Sequence, residues 1–483
     1  MITRIYNVFL SIFFLTISVL FCFTVINYPG NALVYVIFTI ALNALLVFGF
    51  TKDRILFDTF IGLFFWLGFW LKFSIRIAFM GGGFNEPTGN FDGTAGAYDR
   101  ALIVTSCGII ALLIANFIRK KWFFSYKKAN KTCNLEMVFA LYRKRRIPIL
   151  ALFVALFVTV AATNIAFGIY QRGSVPRTIL PLGLSGVYTW LLLFGLASAS
   201  AVILDCEFKI RKHPYFVSTV CLFECFFSSV SMLSRGLILN GGALAIGTYE
   251  NAKRRSFRLS LRFKLIVLII FGLLFLFSVF AVNHIRTEYF VAPSAETFTS
   301  KFFVSKTFMP ESALKSIRKI QTLFLDRWVG MEGVMAVSSY PDLGWGIWKK
   351  AWAERYSHSG TSMYDLTFIE SQYLRIDLSK HHFIGMPGIL AFFYYPGSYP
   401  FLFFSMLLLG FLGAFIEISL YKISGGNIIL CSLMVQVVAS RYAHFGYVPY
   451  QSYLLFGSIY LNVLLLFFLN KYLSFVSDRL TSE

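Results

Sequence analysis

The chain has 483 residues, 57% of them hydrophobic, 18% aromatic and only 14% charged. A soluble fold needs roughly a quarter of its residues charged, so this composition excludes a set of ordinary soluble domains, and it excludes disorder. The net charge of +21 does not point to nucleic acid, because the basic residues gather between apolar runs.

Twelve apolar runs are long enough to read as membrane spans, at roughly 7–26, 31–50, 55–79, 100–118, 147–168, 184–204, 214–232, 236–249, 265–283, 399–420, 426–441 and 451–470. The first is too long for a cleavable signal peptide and no small-residue cleavage site follows it. The chain is expected to be an all-α polytopic integral membrane protein of about twelve transmembrane helices. Lys and Arg in short loops resist translocation. The basic connections 119–146 and 250–264, with Lys209, Arg211 and Lys212, and Lys52 and Arg54, fall on one side of a twelve-span count. That side is expected to be cytoplasmic, with both termini.

Four parts follow: spans one to nine over 1–283, a large external helical loop over 284–385, a re-entrant segment with the last three spans over 386–470, and a cytoplasmic tail over 471–483. Pro310-Glu311-Ser312 reads as a helix start in the long loop, followed by Leu314, Ile317, Phe324, Trp328 and Met331 at helical spacing. Trp345, Trp348 and Trp352 make a second stripe, and the loop reads as a helical subdomain lying on the outer membrane surface. Phe383–Gly397, broken by Pro387 and Pro396, is expected to be re-entrant. No cysteine falls in an external loop, which argues against structural disulfides.

The external side gathers the residues suited to chemistry. Five histidines fall there, His284, His358, His381, His382 and His444, with six arginines: Arg172, Arg177, Arg235, Arg286, Arg327 and Arg441. External arginines run against the topological bias, and a set of six fits a shared anionic ligand, because guanidinium matches phosphate bidentately. Lys72 and Arg76 are expected to snorkel to headgroups. Glu224, inside the seventh span, is expected to partner one of these cations. Asp326-Arg327-Trp328-Val329-Gly330-Met331-Glu332-Gly333 packs two acids, an Arg and a Trp, with glycines that let a ligand approach. Glu332 is the first choice for a general base, over Asp326, with His358 as runner-up; Trp328 could stack on a sugar ring. No HExxH, P-loop, GxSxG or EF-hand pattern occurs, and no spacing argues for a metal or cofactor.

The Phe-rich spans, cytoplasmic termini, late external loop and external arginines resemble a Wzy-type O-antigen or repeat-unit polymerase. Arg172 is followed by ten residues and then Gly183, similar to the family's external Arg-to-Gly motif; the second such motif is not clean, with nine residues between Arg375 and Gly385. Ser234-Arg235-Gly236 and Arg327–Gly333 resemble its arginine turns. The resemblance implies polymerisation of undecaprenyl-diphosphate-linked oligosaccharide units on the periplasmic face of a bacterial inner membrane, with membrane lipids and a chain-length regulator as further partners. It also implies that Arg172, Arg177, Arg235, Arg286 and Arg327 converge on the diphosphate. The competing readings are an O-antigen ligase, which uses the same lipid carrier, a flippase or transporter, and a glycosyltransferase using a monophosphate-linked sugar. The last needs acids in the first external loop, and Asn27-Tyr28-Pro29-Gly30-Asn31 has none.

Overall fold

The computed structural model describes residues 2–51, 55–122, 126, 135–234, 236, 238–290, 324–356, 361–369 and 384–482. Among them the chain is helical throughout, with no β-strand. Helix α1 is Ile2–Asn27, α2 Ala32–Phe48, α3 Leu56–Met80 and α4 Ala95–Trp122. The short α5 (Glu136–Lys144) precedes α6 (Arg146–Phe167), α7 (Pro181–Ile210), α8 (Tyr215–Ser231), α9 (Leu239–Arg254) and α10 (Leu261–Phe290). Then come α11 (Met331–Ser338), α12 (Trp345–Trp352), α13 (Ile389–Phe393), α14 (Tyr399–Ile423), α15 (Ile428–Ala443) and α16 (Ser452–Ser482).

Each apolar run of the sequence falls on one of these helices. Seven are long and apolar enough to cross a membrane: α3, α4, α6, α7, α10, α14 and the stretch Pro449–Ser477. Phe14–Asn27 in α1, with α2, α8 and α15, is apolar but shorter. Helix α9 belongs to neither group. Its 16 residues include Asn240, Glu250 and Asn251, and its apolar density is that of a packed core helix.

The bundle is centred on α3, α4, α14 and α15, which pack by aromatic and small-residue contacts. Trp66 stacks on Trp70 at 5.2 Å, and Phe57 meets Tyr442 edge-on. A Cβ on Gly413 would meet the Phe57 ring at 2.4 Å, so only glycine lets α14 approach α3 this closely. At its first turn α3 is capped from another helix. Both Glu417 carboxylate oxygens accept backbone N–H groups, from Leu56 at 2.8 Å and Phe57 at 2.7 Å. Those donors have no partner inside α3 itself.

The long loop departs from expectation. Helix α11 does not lie on a surface: all eight of its residues are buried, packed against α4. The start expected at Pro310 lies outside the described residues, as do Leu314 and Ile317. The tryptophan stripe is helical in α12, with Trp348 stacked on Trp352 at 5.6 Å and both Trp345 and Trp348 set edge-on to Phe401 of α14. From the segment 383–397, α13 is a buried five-residue helix entered at Gly388, whose N–H donates to the Phe445 carbonyl at 2.9 Å.

Lys72 and Arg76 do not snorkel. Both are buried, at 1% and 3% exposure, and both turn inward to acids of the long loop. Lys72 pairs with Glu332 and donates to the Trp328 carbonyl at 3.0 Å. Arg76 pairs with Asp326, whose second oxygen accepts from Asn85 Nδ2 at 2.6 Å. Burial of an unpaired charge costs several kcal/mol, so each cation selects a carboxylate when one is within reach. Glu224 is likewise not the partner of a cation. Its carboxylate is caged by Ser228 at 2.9 Å, Ser200 at 3.3 Å and the Cys225 thiol at 3.4 Å. Among the described residues all six cysteines are free.

Candidate functional site

Helix α15 ends at a turn that carries Ser440, Arg441 and His444 on one side. His444 folds back on the helix, and its Nδ1 lies 2.9 Å from the Ser440 carbonyl. A carbonyl only accepts, so Nδ1 carries the proton and Nε2 presents a lone pair. Burial pushes the imidazole down to about 4; the Ser440 bond opposes this, and Arg172, Arg327 and Arg441 add to it. His444 is therefore held neutral at physiological pH, within electrostatic reach of three guanidiniums from three different parts of the chain.

Each arginine is held by its own local geometry. Helix α6 ends at Gly168, in the left-handed region at φ 58°, and the chain then runs outward to Arg172. The Arg172 N–H donates to the Met232 carbonyl at 2.9 Å, and the Arg172 carbonyl accepts from Arg286 Nη2 at 2.9 Å. These two bonds tie together the connection after α6, the turn after α8 and the far end of α10. Arg327 lies over the Phe275 ring at 5.3 Å and the Trp328 ring at 5.2 Å. Phe64 of α3 completes the wall, with its ring 6.0 Å from Trp328 and 6.5 Å from His444.

Arg441 shapes the turn beyond His444. Its Nη2 donates to the Tyr447 carbonyl at 3.0 Å and to Ser452 Oγ at 3.3 Å. That turn includes Val448 at φ 45°, where a β-branched residue is strained. Glu354 supports it from the long loop, accepting from the Val448 N–H at 3.4 Å and the Met363 N–H at 2.5 Å. Burial raises the Glu354 carboxyl above the usual range, although both backbone donors favour the anion.

Of the residues singled out in the sequence, Arg172, Arg286, Arg327, Arg441 and Trp328 gather here. Arg177 does not join them. Its Nη2 donates to the Ile165 carbonyl at 3.0 Å and its guanidinium covers Gly168, so it caps the end of α6. Arg235 and His358 lie outside the described residues. Glu332 and Asp326 flank the site but are committed to Lys72 and Arg76. The glycines around Glu332 leave no opening for a sugar. A Cβ on Gly330 would fall 1.9 Å from the Gly68 carbonyl, and one on Gly333 2.0 Å from the Pro387 carbonyl. The backbone approach they permit is that of α3 and of the α13 entry. Gly68 sits in a π-type stretch of α3, Trp66–Leu71, where the widened turn receives the crossing loop.

Sequence reasoning counted His444 among the external histidines without giving it a role, and it passed over Glu354. The signal for the first is the spacing of Arg441 and His444, three residues apart at a helix end, which places both on one side. Among the described residues no group of three or more His, Cys, Asp or Glu side chains is placed to hold a metal ion. The site sets guanidiniums around a neutral imidazole, beside an aromatic wall of Phe64, Trp328 and Phe275. No protein-family model, curated protein or solved structure matches the chain.

Proposed function

We propose that the chain is a polysaccharide polymerase of a bacterial inner membrane, with about twelve spans and the His444 site facing the periplasm. It transfers a growing glycan from its undecaprenyl diphosphate to the acceptor hydroxyl of a new lipid-linked repeat unit. The observation that carries this reading is the neutral His444 imidazole set among Arg172, Arg327 and Arg441.

The chemistry follows from the charges. The leaving diphosphate needs fixed positive charge that requires no reorganisation, and guanidiniums supply it. The acceptor hydroxyl needs a base, and His444 Nε2 holds a lone pair ready. Burial depresses this imidazole most, and the arginines that add to it are the groups an arriving diphosphate neutralises. Binding the anion therefore raises the basicity of His444 as the donor settles. Trp328 offers a face for sugar stacking. Glu332 and Asp326 act as struts that hold the Arg327–Trp328 corner against α3. An O-antigen ligase needs the same diphosphate chemistry and is the second reading, favoured by the same arginines.

Three measurements test this. In a deletion strain, lipopolysaccharide carrying core plus one unit means polymerase, loss of every unit from the core means ligase, and a normal ladder refutes both. His444→Gln, with protein at normal level, should cut polymer ~10²–10⁴-fold, the usual cost of losing a general base. A fully active His444→Gln would remove His444 as the base. Reporter fusions should place residue 130 in the cytoplasm, and the opposite side would remove the site from the periplasm.

A further inference from the structure

A second site lies at the other end of the bundle, away from His444. Helices α7, α8, α9 and α10 enclose a cavity of about 270 Å³ that is almost wholly apolar. Its upper limit is Phe271 of α10, whose ring rests on Gly241 and Gly242 at the start of α9. Its lower limit is Lys264, whose ammonium stands 5.4 Å over the Tyr249 ring. Between these points α10 stands off α9, and Ser218 and Cys221 of α8 form the floor. Outside the opening, Leu265 and Ile269 of α10 are exposed, as on a lipid-facing surface, and Leu268 at its edge is exposed too.

The mouth is cationic. Lys264 is the one charged residue in the wall. Leu259 also lines it, and its exposed neighbour Arg258 brings a second cation to this end, whereas exposed Arg262, two residues before Lys264 on the helix, faces another side. None of these three pairs with an acid among the described residues. Arg255, by contrast, is bound to Asp205 at 2.7 Å. An apolar slot with unpaired cations at one end matches an amphiphile with an anionic head.

Dimensions narrow the occupant. From Lys264 to Phe271 is seven residues of helix, ~10 Å at 1.5 Å per residue. One leaflet contributes ~15 Å of hydrocarbon, so the slot takes most of one acyl chain. From Lys264 to Arg286, beside the His444 site, is 22 residues, ~33 Å along the same helix. That is the full hydrocarbon thickness, so a lipid with its phosphate at the His444 site cannot also place it at Lys264. One lipid therefore cannot reach both ends.

We infer that this cavity is a binding site for an anionic phospholipid of the leaflet at the basic end, with one acyl chain between α9 and α10 and its phosphate at Lys264 and Arg258. The inference does not rest on the glycosyl-transfer reading, since its test involves no turnover. Delipidated full-length protein is titrated with phosphatidylglycerol and with phosphatidylcholine of identical chains, and intact complexes are weighed by native mass spectrometry. Each basic side chain near an anionic lipid is worth ~5-fold in binding. Phosphatidylglycerol should bind one to one, at least ~10-fold tighter than phosphatidylcholine, and Lys264→Glu should abolish that preference. Ala245→Trp, which fills the slot, should lose both lipids, whereas Leu265→Trp outside it should keep them. Photoreactive phosphatidylglycerol with a diazirine in its acyl chain should label unaltered protein within 215–231 and 261–271, which decides the matter even if a variant fails to fold. Equal retention of both lipids by unaltered protein, no effect of Lys264→Glu, or labelling confined to other helices would each overturn the site.

Discussion

The Lys72 ammonium and the Glu332 carboxylate meet inside the bundle with 1% and 6% of their side chains exposed, one from the third helix and one from the loop that follows the tenth. Together with Arg76 and Asp326 they form two buried ion pairs on successive turns of α3. This double clasp positions Arg327 and Trp328, which lie between its two acids in sequence. Removing one partner leaves the other charge buried and alone. Lys72→Met and Glu332→Gln should each destabilise the protein by ~3–5 kcal/mol, while the double variant should recover most of the loss. Denaturant unfolding in detergent reads this. Additive losses in the double variant would show that the two groups do not act as a pair.

The crossing at Gly330 admits no side chain. Gly330→Ala should cost ~1–3 kcal/mol, because its methyl would collide with the Gly68 carbonyl. Gly346, exposed in α12 with open space around it, is the control. Gly346→Ala should be neutral or stabilise by up to ~1 kcal/mol. Equal midpoints for both variants would dismiss the crossing as a constraint.

Arginines at the site should separate from arginines that cap. Arg172→Lys and Arg327→Lys keep charge but lose the planar fork, so polymer output should fall and recover only in part relative to Ala. Arg177→Ala should lower stability by ~1 kcal/mol, the usual value of a helix cap, and leave polymer length unchanged. Ladders from strains matched for protein level distinguish the cases. An inactive but stable Arg177→Ala would bring that residue back into the site.

Acid should weaken the fold through His444. An unfolded imidazole takes a proton near pH 6.5, but the folded one does so only near 4. Between those values the unfolded state binds more protons, so this contribution is complete above about 6.5 and is lost as pH falls toward 4. Glu354 acts with the opposite sign, because its raised carboxyl contributes stability that is lost as pH rises. The clean measure is the difference between unaltered protein and His444→Gln across pH 4–7, where the variant should lose less stability on acidification. Parallel curves would mean that His444 is not held neutral by the fold.

The seven helices long and apolar enough to cross a membrane were legible because such a helix must write its apolar length into consecutive residues. Four further runs fold as shorter apolar helices, and α9 is too polar to join them. Pairing was not legible. Lys72 and Arg76 stood out as cations near a span end, but their acids lie far along the chain, and a local reading gives such cations to headgroups. Glu332 looked open to a ligand because Gly330 and Gly333 flank it, yet glycine also serves where two backbones cross. His444 draws its character from Arg172, Arg327 and its own neighbour Arg441, so no window of sequence contains its environment.

The clasp also sets a schedule for synthesis. Arg76 enters the membrane 250 residues before Asp326 exists. At about 5–20 residues per second the ribosome needs ~10–50 s to supply that acid. Throughout that interval α3 carries near its end two cations whose acids are not yet made, a position less costly than the about 2.5–3.5 kcal/mol each would cost at the centre of a lone span. The nascent chain must therefore shelter α3 in the translocon, or against its insertase, until the segment after α10 arrives. Truncation after α10 would strand the helix in that state, and a membrane quality-control protease reading exposed charge would find its target in the N-terminal half of an unfinished chain.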